Sequence, residues 1–104
     1  MAADEPMLEV FSLSGSLYGW RVLLTLAAKG LESHVRYLRA SAGETRTPEY
    51  LSINPRGKVP VLRDGETIVY ASLAILAYLD RKRPDPPLFD MTPVQTGHIW
   101  QRIF

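Results

Sequence analysis

The chemistry this sequence can offer begins at Asn54-Pro55-Arg56-Gly57-Lys58-Val59-Pro60-Val61-Leu62. Val59, Val61 and Leu62 read as the entry to a buried strand. Pro60 stands among them, and proline has no N–H to give a sheet ladder. Either the strand is damaged there, or the bend presents backbone groups to something outside the protein. Thiol chemistry is excluded at once, because the chain contains no cysteine. Disulfides, thiolate metal sites and dithiol redox exchange go with it. His34 and His98 lie far apart, with no carboxylate cluster between them. They read as solvated or capping residues, and no metal is expected.

The bulk properties narrow the partners. The chain has 104 residues, about one domain's worth, and is 46% hydrophobic, enough for a real core. A formal net charge of +1 supplies no strong field for nucleic acid or an anionic membrane surface. The first ten residues carry acidic groups where a secretory segment wants a basic start and an apolar run. No apolar stretch approaches the roughly 18 residues that would suggest a membrane span. A cytoplasmic protein is expected, with no nucleic-acid or membrane partner. There is no internal repeat and no low-complexity segment.

The elements that must position this chemistry follow from local signals. Residues 1–6 read as a loose tail. Residues 8–13, LEVFSL, have strand length and β-forming composition. Ser16 precedes a long apolar run that Gly30 closes, which is helix punctuation at both ends. Residues 33–39 read as a second strand. Thr47-Pro48-Glu49 opens a short helix that must end near Asn54, because Pro55 disfavours helix in the residue before it. VPVLR and TIVY flank Asp64-Gly65-Glu66, a hairpin signal. A helix runs from about Ser72 to Arg83 and stops at Pro84. Thr92-Pro93 starts another.

The order is strand, helix, strand, helix, strand, strand, helix. The first two strands, joined through a helix, should be parallel, and the last two should form an antiparallel hairpin. The product is an α/β fold, a four-stranded mixed sheet with helices on both faces. That is the thioredoxin-like architecture. The helices beginning near Leu17 and Ser72 are apolar nearly all round, so a second layer should cover the sides turned away from the sheet.

Three segments now resemble one family, the soluble glutathione transferases, in their amino-terminal, glutathione-binding domain. NPRGKVPVL is similar to the family's Asn-Pro-x-x-x-Val-Pro-x-Leu segment. YASLAILAYLDRKRP resembles its Glu/Gln-Ser-x-Ala-Ile-x-x-Tyr-Leu helix, and SLYGWRVLLTLAAKGL its first helix. Trp20-Arg21-Val22 leans toward the zeta branch, the maleylacetoacetate isomerases, although that branch's Ser-Ser-Cys-Ser before the triplet is Ser-Leu-Tyr-Gly here. The resemblance implies the division 1–6 tail, 7–84 glutathione-binding domain, 85–91 linker, and 92–104 the first part of an otherwise missing helical domain.

It also implies a site. The Val59-Pro60 bond should be cis, turning the Val59 backbone outward to pair with the extended backbone of glutathione. The function implied is a glutathione transferase with Ser16 as the candidate catalytic residue; the alternative is a non-catalytic binding or assembly module that keeps the fold, which Ala71 and the missing helical domain favour. A thiolate at a helix N-terminus is stabilised by the dipole and by free N–H groups. A hydroxyl donating to it adds roughly 1.5–3 kcal/mol, or about one to two units on a thiol near 8.5. Ser12, Ser14 and Tyr18 are the lower-ranked alternatives. Ser72 would hold the γ-glutamyl carboxylate while also serving as a helix cap, and Lys58 would face the glycine carboxylate. Ala71 departs from the family, whose Glu or Gln there contacts the γ-glutamyl amino group. The partners implied are glutathione as substrate, an electrophilic small molecule and a second copy of the chain, joined through exchange of the C-terminal helix. Ile99, Trp100, Ile103 and Phe104 form an apolar face for that exchange.

Overall fold

The computed structural model describes residues 7–88 and 92–103. The expected tail over 1–6 lies outside the described residues, as do Phe104 and the side chains of Ile99, Trp100 and Ile103. Eight elements carry the fold: β1 Leu8–Leu13, α1 Leu17–Ala28, β2 Ser33–Leu38, α2 Pro48–Ile53, β3 Val61–Asp64, β4 Thr67–Tyr70, α3 Ser72–Lys82 and α4 Pro93–Ile103. Two short 3₁₀ turns, Ala40–Ala42 and Glu44–Arg46, precede α2 and were not expected from the sequence.

The sheet order is β2-β1-β3-β4. β1 runs parallel to β2, with Val10 opposite Val35, and antiparallel to β3, with Val10 opposite Leu62. β3 and β4 form the expected hairpin, closed between Asp64 and Thr67. Gly65 supplies the φ of +62° that its two-residue loop requires. Strand alternation sends neighbouring residues to opposite faces. Val10 and Leu62 join Val22 and Leu26 of α1 and Ile75, Leu76 and Leu79 of α3 in the larger core. Phe11 and Val61 turn the other way to Tyr50 of α2. Phe11 and Tyr50 meet edge to face, ring centres 6.0 Å apart. Helices therefore cover both faces of the sheet.

The opening puzzle resolves in part here. β3 begins at Val61, so Pro60 precedes the ladder and its missing N–H costs no sheet hydrogen bond.

α1 and α3 keep exposed apolar side chains. Val22 and Leu26 are buried, while Tyr18, Trp20 and Leu24 of α1, and Leu73 of α3, are exposed. α4 lies against α1 of its own chain. The segment after α3 is strapped to the domain. Leu88 belongs to the core, and its N–H donates to Asp80 Oδ1 at 2.7 Å. No helix among the described residues is long and apolar enough to cross a membrane.

Candidate functional site

The first turn of α1 is set by two contacts. Ser16 caps the helix: its Oγ accepts the Gly19 N–H at 3.1 Å. Gly19 in turn sits against the end of β1, where a Cβ would lie 2.0 Å from Ser12 Oγ. Glycine is what lets the helix start approach the strand so closely. The Ser16 oxygen accepts as a cap, so its own proton remains available to donate outward.

The bend at Val59 is held from beneath. The Lys58 carbonyl accepts from the Tyr50 hydroxyl and from Asn54 Nδ2, the latter at 2.9 Å. Asn54 Oδ1 accepts the Arg56 N–H at 3.1 Å. The Lys58 C=O and the Val59 N–H belong to one trans peptide plane and point in opposite directions. Fixing the carbonyl inward therefore turns the Val59 N–H outward. Neither that N–H nor the Val59 C=O makes a hydrogen bond among the described residues. Burial pushes the Tyr50 hydroxyl up to about 12, the hydrogen bond with Asn54 offsetting part of the rise. It stays a proton donor throughout the physiological range. The Val59-Pro60 bond is cis, as expected; Asp85-Pro86 is cis as well.

Opposite this edge stands the start of α3. The sequence reading of Ser72 as the helix cap needs correction. Ser72 is the first helical residue, and Ala71 occupies the cap with φ 77°, ψ 126° and no side-chain cap hydrogen bond. A non-glycine residue in that region costs of order 1–3 kcal/mol, and such residues cluster at active sites and ligand clamps. The first amides of α3 receive no side-chain cap, and Ser72 is nearly buried beside them.

These parts converge. Lys58, Val59 and Pro60 form one wall of an open cleft of about 270 Å³, Ala71 and Ser72 another, and Tyr18 closes a third side. Arg56 and Asn54 line it too, two residues that the sequence reading had not assigned to the site. Asn54 was visible only as part of the Asn-Pro motif, and Arg56 gave no signal. Tyr18 carries the Arg21 guanidinium over its ring at 5.1 Å. Ser16 does not line this cleft; it lies two residues before Tyr18 at the helix start. Ser14 and Ser12 line a separate hollow with Trp20, and Ser12 is buried. His34 and His98 are exposed on different elements.

With that geometry in view, the relationships of the chain decide its family. Residues 15–82 match the family described as glutathione S-transferase, N-terminal domain. The chain belongs to the glutathione S-transferase family. A zeta-class glutathione S-transferase of Euphorbia esula is 41% identical over 85 residues, covering 82% of this chain and 38% of that protein. A probable maleylacetoacetate isomerase of Drosophila melanogaster is 37% identical over 101 residues, covering 93% and 40%. Among solved structures, a glutathione transferase homolog of Drosophila mojavensis with bound glutathione superposes with a TM-score of 0.77 at 31% identity, covering 88% of this chain and 42% of that one. The glutathione-transferase fold of residues 7–88 is thus both observed and shared. The chain spans about two fifths of the length of the curated relatives it matches.

Proposed function

We propose that this chain is the glutathione-binding domain of a glutathione transferase. Glutathione lies along the cleft, its cysteinyl backbone pairing with the outward N–H and C=O of Val59 like an added strand. Its γ-glutamyl carboxylate takes the Ser72 hydroxyl and the free amides of α3. Lys58 faces the glycine carboxylate. Ser16 donates its hydroxyl proton to the thiolate as the sulfur ionises, and that thiolate attacks an electrophilic carbon. The observation that carries the reading is the Val59 peptide. It is turned outward by two hydrogen bonds beneath it and faces an uncapped helix start across one cleft.

A glutathione-dependent isomerase is the second reading. Trp20-Arg21-Val22 and the likeness to a probable maleylacetoacetate isomerase favour it. Both readings share the bound thiolate, so one experiment tests their common core. In the full-length protein, Ser16→Ala should lower kcat by about tenfold or more while glutathione affinity changes little, because the bond to sulfur forms fully only on ionisation. Equal loss in both, or no loss in either, removes Ser16 from the chemistry and turns attention to Tyr18. Self-association belongs to the same reading: the exposed Trp20 and Leu24, which do not line the cleft, are what a second copy would cover.

A further inference from the structure

The fixed charges around the cleft are all of one sign. Arg56 and Lys58 line one side. On the other, α3 begins with amides that no side chain caps, which adds the positive end of its dipole. Ser72, only 8% exposed, brings to the same wall a hydroxyl with no hydrogen-bond partner among the described residues. No aspartate or glutamate side chain among the described residues lines the cleft. Three acids elsewhere in the fold are engaged by partners of their own. Asp64 is held by Tyr78 and Lys82, Asp80 by Lys29, and Glu9 by Arg63.

A tripeptide such as glutathione brings two carboxylates and one ammonium to this surface. Each carboxylate finds a cation or a helix start. The ammonium finds no acceptor of opposite charge, and it enters a field already positive. A charged hydrogen bond is worth about 1.5–3 kcal/mol when made, and like charges at short range oppose binding.

Resting on the glutathione reading above, we infer that this site recognises its ligand by the two carboxylates and the peptide backbone, and does not recognise the α-ammonium. The ligand class is then an acyl-Cys-Gly thiol ending in a carboxylate at both ends, of which the γ-glutamyl compound is one member and the glutaryl compound another. Ala71 sets this selectivity. It stands at the start of α3, on the wall that receives the γ-glutamyl end; its side chain offers no acceptor, and its carbonyl is already engaged by the Ile75 N–H at 3.0 Å.

The test is a titration of the full-length protein, followed by calorimetry, with three compounds. They are glutathione, N-glutaryl-Cys-Gly, which lacks only the amino group, and glutathione amidated at its γ-glutamyl carboxylate. The glutaryl compound should bind within about threefold of glutathione or more tightly. The amide should bind about tenfold more weakly or worse, the loss of one charged contact. A glutaryl compound that binds tenfold more weakly than glutathione overturns the inference while leaving the glutathione reading intact. An amide that binds as well as glutathione overturns it too, since the carboxylate is then not what the helix start reads. If none of the three binds at millimolar concentration, the glutathione reading fails first and the inference falls with it.

Discussion

Lys29 is the residue whose replacement should cost the fold most. Its side chain is fully buried, and its ammonium donates to three acceptors. Asp80 Oδ1 lies at 2.8 Å and the Arg83 carbonyl at 2.6 Å, and the Pro86 carbonyl is the third. Asp80 Oδ1 also takes the Leu88 N–H, and the Arg83 guanidinium returns a bond to the Lys29 carbonyl at 3.1 Å. One cation thus joins the end of α1, the end of α3 and the strap that follows. Lys29→Met keeps the length of the stem and deletes the charge. It leaves a buried carboxylate with a single N–H donor and two carbonyls with none. Breaking one side of a buried pair costs about 3–5 kcal/mol. Counting the stranded groups separately, at about 1–3 kcal/mol each, reaches the same range. A domain of this size has about 5–15 kcal/mol in total, and each kcal/mol moves Tm by about 4–8 °C. The melting temperature should therefore fall by about 12 °C at the least.

The double variant Lys29→Met/Asp80→Leu separates charge from packing. It removes both ions together, so it should be more stable than the sum of the two single losses by about 2 kcal/mol or more. Thermal and guanidinium unfolding followed by circular dichroism would measure all four proteins. A loss below about 1 kcal/mol for Lys29→Met would mean the pair behaves like a surface contact. Strict additivity in the double variant would mean that the two residues do not act on each other.

Two further outcomes follow from the site and the hairpin. Tyr50→Phe keeps the ring against Phe11 and removes only the donor to the Lys58 carbonyl. If the full-length protein turns over glutathione as proposed, this change should raise KM for glutathione about three- to tenfold with kcat nearly unchanged, and a fall in kcat alone would refute the positioning role. Asp64 is pushed up by burial, but hydrogen bonds from Tyr78 and Lys82 outweigh this and hold it below its ordinary 3.8. Its folded value lies below its unfolded one, so its stabilisation is complete above about pH 4 and is lost as pH falls through the folded value. Asp64→Asn should lower stability at neutral pH and flatten the decline below about pH 4; an unchanged acid profile would refute the assignment.

What the sequence disclosed and what it hid divide by range. Ser16, Thr47-Pro48, Pro55 and Gly65 act on their own neighbours, so helix starts, a helix end and the hairpin were legible from residue type alone. Periodicity overran at Pro60 because Val59 is apolar and looks like strand, although its work is done outside the ladder. The tie between Lys29 and Asp80 crosses 51 positions and left no pattern. Each residue merely looked like a charge near a helix end. The positive φ and cap position of Ala71 were hidden for another reason. A positive φ ordinarily advertises itself as glycine, and alanine there reads as a helix former, so Ser72 was taken for the cap.

The bend at Val59 shows how the two kinds of information meet. Pro60 announced that something turned there, but not which way. The direction comes from Tyr50 and Asn54, which grip the Lys58 carbonyl by side-chain bonds that no spacing rule predicts. Because a peptide plane carries its C=O and N–H on opposite sides, a contact on the inner side sets what the outer side offers. The edge turned toward the cleft is thus specified in part by Tyr50, which does not itself line the cleft. A substitution at Tyr50 should therefore change affinity for the ligand while every residue lining the cleft stays the same.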